Sequence, residues 1–217
     1  MYKSIIMLAA AGMTTLTACG SKTDVSEKNF AAAMTQYLDV KGELCLGTTE
    51  WPADLSESDL KHKTRQTRRM IALEAAGLVK GEDTEIDAVS LFGKPTGNKI
   101  TIKRYTLTDA ANAFTQQKEV TTISLNGSKI AIQTDLCWGK KVLDKVVKWE
   151  GPMVSGDYQE ARVYYTYQIS NLAEWTNKPE IQEAFSKIKY TLENAGSEEE
   201  RHIVKLTSEG WEPKGLN

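Results

Sequence analysis

Two short sequence segments, Glu43-Leu44-Cys45-Leu46-Gly47 and Asp135-Leu136-Cys137-Trp138-Gly139, place the strongest constraint on the fold of this chain. In each segment an acidic residue is followed by apolar residues that flank a cysteine, and a glycine ends the run. The pattern predicts two short buried strands, and two such strands side by side can bring their sulfur atoms within bonding reach. We predict a disulfide between Cys45 and Cys137. Two free buried thiols, or a thiol catalyst, are the alternatives.

An export signal is predicted from residues 1–20, MYKSIIMLAAAGMTTLTACG. Lys3 is followed by an apolar and small-residue run over 5–11, and then by Leu16-Thr17-Ala18-Cys19. A basic start, a run of this length and small residues before a cleavage point are typical of a secretory signal. The run is too short to span a membrane, which takes about 20 apolar residues. An ordinary signal peptide with a chance cysteine, or a buried N-terminal helix, is the alternative.

Residues 16–19 resemble the lipobox of bacterial lipoprotein precursors, in which an aliphatic residue and two small residues precede an obligatory cysteine. The resemblance implies that residues 1–18 are removed and that Cys19 becomes the N-terminus, with a diacylglyceryl group on its thiol. Gly20 follows the cysteine, which in enteric-type sorting implies the outer membrane. We therefore expect an envelope protein that faces the periplasm, anchored through lipid on Cys19, with residues 19–25 as a tether. Disulfides persist in that compartment.

Residues 26–217 are expected to form one α+β domain, since this length suits a single sizeable core. The whole chain has 27 basic and 29 acidic side chains and a formal net charge of −2. Such a balance gives no overall field that attracts nucleic acid, so no nucleic-acid partner is expected.

Local patterns predict N-terminal helices followed by a mainly antiparallel sheet. Ser26 can cap a first helix that Gly42 ends. Asn126-Gly127, between alternating apolar residues, predicts a hairpin with a type I′ turn. Residues 188–193 fit a helix or a strand, and their alternation favours a strand. The other predicted helices cover 61–76, 108–114, 171–175 and 179–185, and the other predicted strands cover 85–92, 99–107, 142–149, 161–169 and 203–206.

Residues 61–115 resemble a winged-helix module in their local pattern. The helix end Leu73-Glu74-Ala75-Ala76-Gly77-Leu78-Val79 is followed by a predicted hairpin and then by Tyr105-Thr106-Leu107-Thr108. In winged-helix regulators a similar string follows the wing, and the helix before the wing reads DNA. Here Ala111 stands where that pattern usually has glycine. The resemblance implies the shape of this segment, not a DNA partner.

A cluster of positive charge lies at the start of the predicted helix 61–76. Its basic residues are Lys61, Lys63, Arg65, Arg68 and Arg69. On an exported protein such cations can bind an acidic protein face or lipid phosphates. A solvent-exposed stripe balanced by acidic neighbours is the alternative. We take these five residues as the candidate surface for an envelope protein partner.

Five tryptophans offer a second candidate surface, for a small ligand or a cell-wall fragment. Trp138 and Trp149 lie in predicted strands and are expected in the core. Trp51, Trp175 and Trp211 lie near predicted loops and are the better candidates for exposed ligand contacts. Packing in the core or at its edge is the favoured alternative for each of them.

Catalytic and metal-binding motifs are absent from the sequence, which has no HExxH, no glycine-rich phosphate loop and no GxSxG. The only histidines are His62 and His202, and we expect both at the exposed surface. Acidic runs such as 198–200 are typical of solvated turns. We predict a non-enzymatic binding protein without a metal or a cofactor; an envelope hydrolase with a carboxylate site is the less favoured reading.

Overall fold

The computed structural model describes residues 21–90, 94–124 and 127–216 of the chain. The predicted signal, Cys19 and the predicted turn residue Asn126 lie outside this part. Within it, the predicted α+β class is confirmed, because helices accompany sheets whose strand pairs are antiparallel.

The described residues form helices and strands with the following bounds. The helices are α1 (Glu27–Lys41), α2 (Glu57–His62), α3 (Arg65–Ala75), α4 (Pro179–Ala184) and α5 (Ser186–Asn194), with 3-10 helices at Asp109–Phe114 and Glu174–Asn177. The strands are β1 (Glu43–Cys45), β2 (Ala53–Ser56), β3 (Val79–Val89), β4 (Pro95–Leu107), β5 (Thr115–Ser124), β6 (Gly127–Ser155), β7 (Tyr158–Ser170), β8 (Glu200–Thr207) and β9 (Gly210–Pro213).

The predicted disulfide between Cys45 and Cys137 is confirmed. β1 and β6 pair in antiparallel fashion, and the two cysteines lie opposite each other in that ladder. The strands are adjacent because the apolar residues beside each cysteine, Leu44, Leu136 and Trp138, enter one core. The covalent link and the strand pair therefore stabilise the same contact.

The larger sheet has the strand order β1-β6-β7-β8-β9, and β5 pairs with the first part of β6. β6 is a single strand of 29 residues, so the predicted strand 142–149 is only its middle part. The predicted end of that strand at 149 is wrong, because β6 continues through Gly151-Pro152. The ladder is irregular between Glu150 and Met153 and then continues to Ser155, so the proline lies at a bulge, where its missing N–H is tolerated.

α1 lies along this sheet and defines its two ends. Ser26 caps the helix as predicted, since its side chain accepts a hydrogen bond from the backbone N–H of Asn29. At the other terminus, the N–H of Lys141 in β6 donates to the carbonyl of Gly42. We call the end with Gly42 and the disulfide the cystine end, and the end with the start of α1 the amino end. The turns that join β6 to β7 and β8 to β9 also lie at the amino end.

The smaller sheet, ordered β2-β4-β3, flanks α2 and α3. The helix predicted over 61–76 is wrong in its bounds, because two helices meet there. α2 begins at Ser56, whose side chain forms a capping box with Asp59, and it ends at Lys63 in the left-handed region (φ 47°). Thr64 then caps α3. After α3 the chain forms the β3–β4 hairpin and then the 3-10 helix Asp109–Phe114.

Two predictions for the last third of the chain are wrong. Residues 188–193 belong to the helix α5 and not to a strand, since Ile188 and Thr191, one helical turn apart, are buried while Tyr190 is exposed. Asn171 does not cap a helix over 171–175; its backbone is left-handed (φ 51°), and the 3-10 helix begins at Glu174. Pro179 opens α4 as predicted, at a position where its missing N–H costs nothing.

Two apolar cores support the two ends. The first core lies near the cystine end and joins α3, α4 and α5 to β1 and β6, with Met70, Leu73, Trp138, Phe185 and Ile188 among its buried residues. The second core lies between α1 and the sheet toward the amino end. It includes Phe30, Met34, Leu38, Val163 and Trp211.

Candidate functional site

The five predicted basic residues lie together where α2 meets α3. Lys61 is in the last turn of α2, Lys63 ends that helix, and Arg65, Arg68 and Arg69 belong to α3. Arg69 is half-buried and the other four are exposed. We call these five residues the cationic corner.

Hydrogen bonds fix the turn that carries the corner. The backbone N–H of Thr64 donates to the carbonyl of Asp59, and the hydroxyl of Thr67 donates to the same carbonyl. Arg68 donates from Nη1 to the carbonyl of Lys63 at 2.7 Å. A left-handed residue at 63 and a threonine cap at 64 therefore place side chains from two helices on one held surface.

The cations of the corner have no ion-pair partner among the described residues. The nearest acidic side chain along the chain, Asp59, is engaged in the α2 capping box, where its hydrogen bonds with Ser56 hold the pKa of Asp59 below its usual value. Beyond ion-pair distance, Glu180 and Glu183 of α4 line a cleft together with Arg68. The four exposed cations of the corner present their charge to solvent.

Arg69 differs from the rest of the corner. Its guanidinium lies 5.1 Å from the centroid of the Phe185 ring, a cation–π contact. Its Nε is buried and has no hydrogen-bond partner among the described residues. Burial, and secondarily the charge of Arg65, lower the pKa of Arg69. An anionic ligand would accept a hydrogen bond from this Nε and would favour the charged form of Arg69.

A polar cavity of about 630 Å³ lies beside the corner. Gln66 and Arg69 of α3 line one part of it, and residues 47–50 and 52–54, from the connection between β1 and β2 and the start of β2, line the rest, with Glu50 and Asp54 as its carboxylates. We call it the corner pocket.

The half-buried carboxylate of Asp135 binds the backbone at the start of the segment 47–54. Asp135 accepts hydrogen bonds from the backbone N–H groups of Gly47 and Thr48. Burial raises the pKa of Asp135, and these N–H groups oppose the rise. Trp51 donates its indole N–H to the carbonyl of Thr48 at 3.1 Å. The wall of the pocket is thus preorganised by Asp135 and Trp51.

Asp54, another residue that lines the pocket, is already paired. Arg104 donates to both of its carboxylate oxygens, from Nε at 2.7 Å and from Nη2 at 2.6 Å. The hydrogen bond with Arg104 lowers the pKa of Asp54. Arg69 therefore remains the cation of this pocket that lacks a carboxylate partner among the described residues.

Trp175 and Trp211 are not surface ligand contacts but core residues, the alternative favoured from the sequence. Trp175 is 5% and Trp211 is 4% exposed, because each packs into one of the two cores. Trp51 is half-buried next to the corner pocket. Trp138 is in the core as predicted, whereas Trp149, also expected there, is 37% exposed. Trp175 lies in the 3-10 helix Glu174–Asn177 and Trp211 in β9, so nearness to a predicted loop did not indicate exposure.

The two histidines lie in different surroundings. His62 is exposed at the cationic corner, as expected. His202 is half-buried, so the expectation of an exposed side chain is wrong: its ring stacks on Tyr37 with 3.7 Å between centroids, and its Nε2 lies 2.9 Å from the carbonyl oxygen of Lys214. In the described part of the chain, no three His, Cys, Asp or Glu side chains come together as a metal site. No described helix has the length and hydropathy to cross a membrane.

The sequence did not reveal the corner pocket. Its residues come from the segment 47–54 and from α3, which the disulfide and the smaller sheet bring together, and no local pattern relates Thr48 to Arg69. Gly47 and Pro52 signal a turn but not what the turn faces. Comparison of the chain with protein-family models, with curated proteins and with solved structures finds no match.

Proposed function

We propose that this chain is a lipid-anchored envelope protein without catalytic activity, which binds an acidic face of another envelope protein through the cationic corner. The observation that carries the proposal is that five cations lie together where α2 meets α3 and have no ion-pair partner within the described residues. Complementary charge across an interface guides encounter and selects the partner. An unpaired group of cations is available for this purpose.

The rigidity of the corner supports the proposal. Interfaces gain affinity when their side chains lose little freedom on binding. The turn at Lys63 and Thr64 is fixed by the bonds to Asp59, and Arg69 is fixed over Phe185. The backbone of the turn and the side chain of Arg69 are therefore held in place before a partner arrives.

The place of the corner in the fold also supports the proposal. α3 packs on the first core, next to the cystine end, whereas the chain enters the fold at the amino end. A lipid on Cys19 would hold the amino end at the membrane. The corner would then face away from the bilayer, toward the periplasm.

The test compares two triple variants by in-cell crosslinking, purification and mass spectrometry. The corner variant carries Lys61→Gln, Arg65→Gln and Arg68→Gln; it spares Arg69, because that side chain packs on Phe185. The matched control carries Lys145→Gln, Lys187→Gln and Arg201→Gln, three exposed cations elsewhere that also have no ion pair among the described residues. We expect one dominant envelope protein with the wild type and the control, and about tenfold less of it or lower with the corner variant. Equal recovery with both triples would contradict the proposal.

A second candidate is the binding of a carboxylate-bearing small ligand or cell-wall fragment in the corner pocket. The observation that favours it is the buried, unpartnered Nε of Arg69 beside a cavity of about 630 Å³. Muropeptides and β-lactams both offer a carboxylate, for which a guanidinium is well suited. Titration should change the fluorescence of Trp51, whose indole is bonded to the pocket wall, and Arg69→Gln should abolish the change. Unchanged fluorescence across both ligand panels would eliminate this candidate.

A further inference from the structure

The chain is fixed to the folded body from Ser21 onward. The side-chain amide of Asn29 donates to the carbonyls of Ser21 and Asp24, both at 2.8 Å. The backbone N–H of Ser21 donates to the carboxylate of Asp24, also at 2.8 Å. These bonds tie the segment before α1 to the first turns of that helix. This part of the predicted tether 19–25 therefore belongs to the body.

β9 also contacts the segment that precedes α1. Trp211 donates its indole N–H to the carbonyl of Thr23 at 3.2 Å. Gly210 has a backbone φ of 117°, and a Cβ at this position would lie only 2.9 Å from the carbonyl oxygen of Lys22. The glycine permits a close approach that a side chain would block.

This attachment limits how far the body can stand from a lipid on Cys19. Ser21 follows Cys19 by two residues, and two extended residues span at most about 7 Å. Since Ser21 lies at the amino end of the larger sheet, that end would meet the bilayer surface. The body would not swing on a long flexible linker.

Exposed apolar side chains lie at this same end, as they also do on the β3–β4 and β5–β6 hairpins. Those at the amino end belong to the last part of β6 and the start of β7: Met153 is 61% exposed, Val154 63%, Tyr158 44% and Trp149 37%. Met153 lies opposite Glu160, which in turn pairs with Lys205 just before the β8–β9 turn. The ring of Trp149 lies 5.3 Å from that of Phe30, in the first turn of α1. The hairpin tip and the chain entry therefore share one end of the sheet.

The composition of this tip fits the surface of a bilayer. Contiguous exposed apolar residues mark interaction sites, and Trp and Tyr are enriched where hydrocarbon meets headgroups. The charges of the amino end are mixed, with cations on Lys22 and Lys28 and exposed carboxylates on Asp24, Glu27, Asp157 and Glu209. Attraction to anionic lipid is therefore not what would hold this surface. The apolar side chains would do so on zwitterionic lipid.

We propose that the amino end is a membrane-docking surface, in which the β6–β7 hairpin seats Met153, Val154 and Trp149 in the lipid interface beside the acyl chains on Cys19. This inference rests on the lipid anchor of the proposed function and adds the orientation of the body. The docked hairpin fixes the cationic corner at the far side from the bilayer.

The test uses the lipidated full chain in vesicles of phosphatidylcholine and phosphatidylethanolamine. An environment-sensitive fluorophore is attached at Val154→Cys or, as the control, at Ile71→Cys, an exposed apolar position on α3 (52% exposed). With Cys45 and Cys137 joined and Cys19 lipidated, the new cysteine is the one that takes up label. We expect blue-shifted emission and quenching by nitroxide-labelled acyl chains at position 154 but not at position 71, and no gain when anionic lipid is added.

The outcomes separate this inference from the proposed function. A chain that floats with the vesicles while the probe at 154 remains in water, or while both probes are quenched alike, overturns the docking and leaves the anchor intact. A wild-type chain that takes up label at Cys19 and does not float overturns the anchor and the docking together. Partner recovery by the corner is measured separately and is unaffected by the labelling.

Discussion

The indole N–H of Trp211 donates a hydrogen bond to the carbonyl of Thr23, which lies 188 positions earlier in the chain. The same ring packs edge-on against Phe30, with 5.1 Å between centroids. The last strand, the chain entry and the start of α1 therefore meet at one tryptophan. Formation of the amino end requires both ends of the domain to be in place.

Two replacements of Trp211 separate the hydrogen bond from the packing. Trp211→Phe retains a ring beside Phe30 but removes the donor, and we expect the free energy of unfolding to fall by about 1 kcal/mol. Trp211→Ala also removes the ring and should cost about 3 to 5 kcal/mol. Urea denaturation of both variants measures these losses. Equal losses would show that the ring contributes nothing beyond the bond.

The disulfide should be a major source of stability. It joins residues 92 positions apart, and closing a loop of that length stabilises by about 4 to 5 kcal/mol when the effect on the unfolded chain dominates. We expect the double variant Cys45→Ala with Cys137→Ala to lower the free energy of unfolding by up to that amount. Reduction of the wild-type protein with dithiothreitol is the control and should give the same shift. An unfolding curve insensitive to reduction contradicts the prediction.

His202 should make stability depend on pH. Burial lowers the pKa of His202, and the hydrogen bond with the carbonyl of Lys214 opposes this. Because the folded protein favours the neutral ring, this contribution is complete above the unfolded pKa of about 6.5 and is lost as pH falls from there through the folded pKa. His202→Phe keeps a ring stacked on Tyr37 and should lose less stability than the wild type between about pH 7.5 and about pH 5.

The comparison is made by urea denaturation at both pH values, and the ring protons of His202 report its pKa directly by NMR. A His62→Gln background leaves a single histidine signal. Identical pH dependence of the wild type and His202→Phe, or a pKa of His202 above about 6.5, would contradict this account.

Local sequence patterns predicted the features that depend on neighbouring residues. Ser26 and Gly42 bound α1 as expected, and the similar strings around Cys45 and Cys137 predicted the strand pair and its bond. Pro179 marked the start of α4. Caps, turns and short apolar runs act over a few residues, and such signals are present in the sequence itself.

The errors arise where distant contacts decide the structure. β6 passes through Gly151-Pro152 because β7 pairs with it on both sides of the bulge. Trp175 is buried because it lies in the first core, although its place in the chain resembles a loop. The corner was found from its charge, but its lack of ion pairs and the pocket beside it depend on the tertiary arrangement. No periodicity in the sequence carries that information.

α5 offers a direct test of one such correction. On a strand, Ile188 and Tyr190 would share a face, whereas on the helix Ile188 is 1% exposed and Tyr190 is 55% exposed. We expect Ile188→Ala to lower the free energy of unfolding by about 2 to 5 kcal/mol. Tyr190→Ala, the matched control, should change it by about 0.5 kcal/mol or less. Similar losses at both positions would favour the strand over the helix.

Photo-crosslinking in living cells, from a position within the cationic corner, tests partner binding by this surface. A photoreactive amino acid replaces His62, which is exposed and leaves all five corner cations unchanged, and in a second strain it replaces Tyr190 on α5. We expect one dominant adduct from position 62, with an envelope protein that presents an acidic face, and no corresponding adduct from position 190. An adduct from position 190 alone, or none from position 62, would contradict partner binding through the corner.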